Sequence, residues 1–152
     1  MLSEESSFLS KIPFFQELEP SRLKLLAFTS ETINFQNGEI LFKAGEPGDC
    51  AYVIMEGEVE ILSTVDNDTR VSLLQINQIF GELALLNDEP RSATLRAKGE
   101  LKVMKISESL FMELIRESPA LALNVLRQLG QKLTESHRQV EELRGKLDAA
   151  AS

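Results

Sequence analysis

Histidine, cysteine, tryptophan and long apolar runs are scarce or missing in this 152-residue chain. The only histidine is His137, so a histidine-rich metal cage of the cupin kind cannot be assembled. No nucleophile–base pair or cysteine–histidine arrangement is evident, and the sequence reads as that of a non-enzyme. The lone cysteine, Cys50, excludes an internal disulfide and fits a reducing cytoplasm. No apolar stretch approaches the ~20 residues of a membrane span, and the N-terminus lacks the basic-then-apolar build of a signal peptide. A basic stripe is also missing. Residues 1–117 carry 11 basic against 20 acidic side chains, and residues 118–152 carry 5 against 4. Nothing would neutralise a phosphate backbone, so direct DNA binding is not expected. The net charge of −8 serves solubility.

What is present is a chain long enough to bury one core. Two short amphipathic pieces open it, Ser6 to Ile12 and Ser21 to Thr29, with Glu19-Pro20-Ser21 as the break and helix cap between them. Phe8, Ile12, Phe14 and Phe15 form an apolar cluster around Pro13 that is read as core packing. From Glu31 to Ile106 the signal is β. Glu31–Phe35 and Glu39–Phe42 flank Gln36-Asn37-Gly38, whose Asn-Gly pair is a turn signal. Cys50–Met55 reads as a buried strand and Glu58–Leu62 as a half-wet one. Asp66-Asn67-Asp68 turns the chain into Arg70–Leu74, and Ala93–Arg96 and Leu101–Ile106 follow. Gly45, Gly48 and Gly57 are placed at turns, as backbone devices without chemistry. Short strands at this spacing predict a sandwich or barrel.

The stretch from Phe80 to Thr94 has the parts of an anion cradle. Gly81 permits close backbone approach, and Glu82-Leu83-Ala84-Leu85-Leu86 supplies a short helix whose first amides lack internal partners. Asn87-Asp88-Glu89-Pro90 is turn chemistry, and Arg91 follows with a planar fork suited to a phosphodiester. Glu82 would repel a phosphate, but it can accept from a sugar hydroxyl at the ligand's other edge. Phosphate and ribose together suggest a nucleotide. The bland alternative is an ordinary turn capped by an Arg91–Glu82 salt bridge.

The two half-motifs, Gly81-Glu82-Leu83-Ala84-Leu85 and Pro90-Arg91-Ser92-Ala93-Thr94, resemble at their spacing the phosphate-binding cassette of the cyclic-nucleotide-binding domain family. That family includes sensor domains like those of catabolite activator proteins, kinase regulatory subunits and gated channels. The resemblance implies a mainly β fold with flanking helices (α+β): a β-roll or jelly roll over residues 1–117, followed by a long C-terminal dimerisation helix over 118–152. It implies that Glu82 binds the ribose 2′-hydroxyl and Arg91 the cyclic phosphate. Backbone around Gly81, Leu83, Ala84 and Ser92 would complete the cradle. Leu73 and Leu74 would give the base an apolar wall. Ser92 directly after Arg91 favours cAMP, with cGMP open; no other cofactor is implied. Asn77-Gln78-Ile79 departs from the family's usual glycine and acidic residue before the cassette, although Asn77 tolerates a left-handed turn.

Ser107 caps a helix through Phe111, Leu114 and Ile115, and Ser118-Pro119 starts the last one. Leu126, Leu129, Leu133, Ser136, Val140, Leu143, Leu147 and Ala150 then recur at alternating spacings of three and four, which predicts a two-stranded coiled coil and a parallel homodimer. Gly130 and Gly145 each cost it roughly 1 kcal/mol. By resemblance, Ser136 and His137 fall where the base is contacted from the dimer helix. The other reading makes Ser136 a register-setting polar residue and His137 solvated surface. The chain ends after this helix, so no winged DNA-binding domain is expected to follow. The expected function is a cyclic-nucleotide sensor that shifts its C-terminal helix to signal to an unidentified effector protein. The alternative is a degenerate fold that serves as a dimeric interaction module without ligand.

Overall fold

The computed structural model describes residues 4–12, 15, 16, 18–63, 65 and 69–151. Pro13, Phe14 and the Asp66-Asn67-Asp68 turn lie outside them. In chain order the elements are α1 (Glu4–Ser10), α2 (Pro20–Thr29), β1 (Glu31–Phe35), β2 (Ile40–Phe42), β3 (Cys50–Leu62), β4 (Arg70–Leu74) and β5 (Ile79–Phe80). Then come α3 (Glu82–Asn87), β6 (Leu95–Ser107), α4 (Glu108–Glu117) and α5 (Pro119–Ala151). The strands form one antiparallel sheet in the order β1-β6-β3-β4, with β2 also on β6 and β5 also on β3.

Two strands of 13 residues, β3 and β6, carry this sheet. Each replaces two shorter strands expected from the sequence. Gly57 is accordingly not at a turn. It sits inside β3, within the second of two successive register shifts, Ile54/Glu56 and Glu56/Glu58, with φ 92. A bulge of this kind bends a strand without ending it. A Cβ on Gly57 would stand 2.3 Å from the carbonyl oxygen of Glu100, so only glycine lets β6 pass so closely.

The Asn-Gly turn forms, with Gly38 at φ 87, but it does not fold β1 onto β2. Both strands lie along β6 instead, β1 against Leu101–Lys105 and β2 against Leu95 and Arg96. The turn is tied to the same strand by Gly38 N–H to the Ala97 carbonyl and by Gly99 N–H to Asn37 Oδ1. At α2 the break is where the sequence placed it. Glu19 is the capping residue, without a side-chain cap bond, and Pro20 takes the first helical turn.

Alternation along β3 explains its unbroken apolar run. Cys50, Tyr52 and Ile54 point into one core with Val59, Phe80, Leu95, Ala97, Leu101 and Val103. Ala51 and Val53 point into a second with Ile79, Leu85, Met104 and Ile106, covered by Leu9, Ile12, Phe15, Leu23 and Leu26 of the N-terminal segment and by Phe111, Leu114, Leu121 and Val125. A strand buried on both faces loses the polar half of its alternation. Ser107 Oγ accepts from Leu110 N–H to start α4, and Ser118 Oγ accepts from Leu121 N–H beneath α5.

Candidate functional site

Gly81, at φ 82, turns the end of β5 into α3, a conformation that costs glycine little. The helix runs for six residues and stops at Asp88, itself left-handed at φ 51 with its amide on the Ala84 carbonyl. Asn77 adopts φ 72, so the shortened approach to the cassette does form a left-handed turn. The second half of the stretch is clamped by the β2–β3 loop. Arg91 N–H donates to the Glu46 carbonyl and Gly45 N–H to the Arg91 carbonyl, both at 2.8 Å, while Thr94 Oγ1 accepts from Ala44 N–H at 3.0 Å.

These elements bring two oppositely charged side chains into the wall of one cavity of about 700 Å³. Glu82 is 4% exposed and Arg91 5%. They do not form an ion pair with each other. Arg91 Nη1 donates to the Gly81 carbonyl and Nη2 to the Cys50 carbonyl, both at 2.8 Å. Glu82 Oε1 instead pairs with Lys132 of α5. The simple capped turn is therefore not what the fold builds. Among the described residues, three buried side-chain polar atoms lack a hydrogen bond: Ser30 Oγ, Glu82 Oε2 and Arg91 Nε. Two of the three belong to this cavity, one an acceptor and one a donor. Buried polar atoms are satisfied almost everywhere else in proteins, which sets this pair apart.

The cavity also takes in Leu73 and Leu74 from β4, Gly81, Leu83 and Ala84 around α3, Ser92 after the arginine, and Ser136 from α5. His137 is the exception. It is exposed, outside the lining, with Nε2 4.0 Å from a Glu141 oxygen one turn on. Several contributors were not found by sequence reasoning. Lys132 is the main one, and with Gln131, Glu135 and Gln139 it forms a polar stripe at helical spacing beside the leucine seam. That second periodicity was the available signal. Gly48 is more than the turn residue its sequence context suggests: a Cβ there would lie 2.4 Å from Ala84 Cβ and 3.4 Å from Arg91 Cζ. Its role is to let the β2–β3 loop press against both halves of the cassette.

Cys50 and Tyr52 lie beside Arg91. Burial pushes the Cys50 thiol upward, which keeps it protonated and a poor nucleophile. Burial, with a bond to Cys50, also raises the Tyr52 hydroxyl well above its usual range. Among the described residues, no cluster of three or more histidine, cysteine or acidic side chains could hold a metal ion. None of their helices is long and apolar enough to cross a membrane.

The chain is similar to kinase regulatory subunits and to transcriptional regulators. A cAMP-dependent protein kinase regulatory subunit from Emericella nidulans is 38% identical over 109 residues, which are 72% of this chain and 26% of that protein. A CRP-like cAMP-activated global transcriptional regulator from Mycobacterium tuberculosis is 28% identical over 89% of this chain and 61% of its own length. The chain thus spans about a quarter of the kinase subunit and about three fifths of the regulator. The solved catabolite activator protein of Thermus thermophilus superposes with a TM-score of 0.75 at 25% identity, covering 86% of this chain and 62% of that one. Residues 32–118, from β1 to the end of α4, match the sequence model described as the cyclic nucleotide-binding domain. That span holds the paired strands, the glycine-led α3 and both charged residues of the cavity, Glu82 and Arg91, and the chain belongs to the cyclic nucleotide-binding domain family.

Proposed function

We propose that this chain is a sensor for a cyclic mononucleotide, cAMP in the first instance, that reports binding to a partner protein through α5. One observation carries the reading: a buried acceptor, Glu82 Oε2, and a buried donor, Arg91 Nε, stand open in a single cavity. A ribose hydroxyl satisfies the first by donating to it, and a cyclic phosphate satisfies the second by accepting from it with its negative charge. Leu73 and Leu74 then offer apolar wall to the base, and Ser136 reaches it from α5. Ser92 and the relatives named for cAMP favour adenine over guanine. In this role the protein works in the cytoplasm and binds without catalysing.

Signalling follows from two ties between cassette and helix. Leu85 of α3 is buried in the same core as Phe111 of α4 and Leu121 and Val125 of α5. Glu82 holds Lys132, further along α5. A ligand that draws in α3 shifts the population of α5 positions through both. Beyond Leu129 the seam lies bare in the single chain, with Leu133 72% and Leu147 70% exposed. A second copy in a parallel coiled coil would cover it. On this reading residues 1–117 bind and residues 118–152 pair and report.

Calorimetric titration of cAMP and cGMP into the wild-type protein tests the ligand. Micromolar cAMP binding with weaker cGMP binding supports the sensor; no heat with either, in a folded dimer, favours an interaction module that needs no ligand. Analytical ultracentrifugation tests the pairing. Wild type should sediment as a dimer and Leu133→Glu/Leu147→Glu as a monomer, since each charge would sit at a buried seam position.

A further inference from the structure

The Arg91 guanidinium is buried with no carboxylate paired to it among the described residues, an arrangement that ordinarily costs several kcal/mol. Aromatic rings lie against it instead. Arg91 Cζ lies 4.2 Å from the Phe42 ring centroid and 5.9 Å from that of Tyr52. Tyr52 stacks on Phe80 at 5.1 Å and 16°, and Phe42 leans on both at 6.2 and 6.3 Å. The carbonyls of Gly81 and Cys50 take one proton from each amino group, and the backbone near Gly48 closes on Cζ and Nε.

Resting on the nucleotide reading of this cavity, we propose that Phe42 is a positioning residue that holds the Arg91 guanidinium oriented and un-neutralised for an incoming phosphate. The physical argument concerns competition. A carboxylate partner would stabilise the arginine, but a phosphate would have to displace it. A π-face and two carbonyl dipoles stabilise the cation without cancelling its charge, so the whole of it remains for the ligand. They also fix a side chain that is otherwise rich in rotamers, so less order has to be imposed on binding. Nε, buried and without a hydrogen-bond partner in the protein, is left as one donor for the phosphate.

The test uses the full chain as wild type, Phe42→Tyr, Phe42→Leu and a form with 3,4,5-trifluorophenylalanine at position 42. The last keeps the ring's shape and weakens its quadrupole, so it remains informative if the leucine variant fails to fold. Two readouts are taken: cAMP affinity, and the Arg91 Nε–H resonance in the ligand-free protein, assigned by its loss in Arg91→Lys. The leucine and trifluoro forms should bind roughly tenfold more weakly, and tyrosine should bind like wild type. The Nε–H resonance should carry a ring-current shift in wild type and the tyrosine form and lose it in the leucine form. Unchanged affinity in the trifluoro form would overturn the role, and so would a resonance indifferent to leucine. If wild type binds neither cAMP nor cGMP, the nucleotide reading fails by itself, and the role assigned to Phe42 falls with it.

Discussion

Arg91→Ala should weaken cAMP binding by at least thirtyfold, to the point where calorimetric heat vanishes at micromolar protein. Removing a charged partner from a desolvated phosphate costs roughly 2–5 kcal/mol, and the burial of this guanidinium places it toward the upper part of that range. The variant also leaves the Gly81 and Cys50 carbonyls without their side-chain donor, so some loss of thermal stability should accompany it. Arg91→Lys separates the two effects. It keeps a positive charge but gathers its donors on one nitrogen in place of a planar fork that spans both carbonyls, so it should bind measurably yet well below wild type. Equal affinity for wild type and Arg91→Ala, each shown to be folded, would remove Arg91 from the ligand and the sensor proposal with it.

Phe111→Ala should be the most destabilising single change outside the cavity, at about 3–5 kcal/mol. Phe111 is fully buried on α4, within the core that also holds Leu85 from the cassette helix, Leu114, and Leu121 at the root of α5. Its removal leaves a ring-sized void where three helices meet the sheet, and close-packed interiors relax only partly into such voids. Domains of this size are stable by about 5–15 kcal/mol, so the variant should lose much of its margin while remaining mostly folded in the cold. Urea unfolding reads it as a lower midpoint at unchanged slope. A cost under about 1 kcal/mol would mean that α4 is not part of the cooperative unit. The cassette would then have no packed route to α5.

The sequence by itself determined the features that depend on a few neighbouring residues. The cassette is the clearest. Gly81 needs its left-handed φ, Glu82 through Leu86 favour a short helix, Asp88 tolerates the turn, and Arg91 follows at a fixed distance along the chain. The caps at Ser107 and Ser118 and the left-handed Asn77 are of the same kind. The seam on α5 is legible for a related reason, since one helix carries its own period.

Tertiary structure alone decided which of these pieces meet. Lys132 reaches Glu82 across 50 residues and Arg91 reaches the Cys50 carbonyl across 41. Phe42 comes under the guanidinium only because β2 lies on β6 instead of on β1. The two long strands read as four short ones, because a bulge with a glycine looks locally like a turn; it takes the passing β6 backbone to show that the pairing continues. Local propensity acts over a few residues, whereas the partners of a buried charge are set by how the sheet bends and what packs on it. The sequence could therefore name Glu82 and Arg91, and only the fold could supply the lysine and the aromatic ring that hold them.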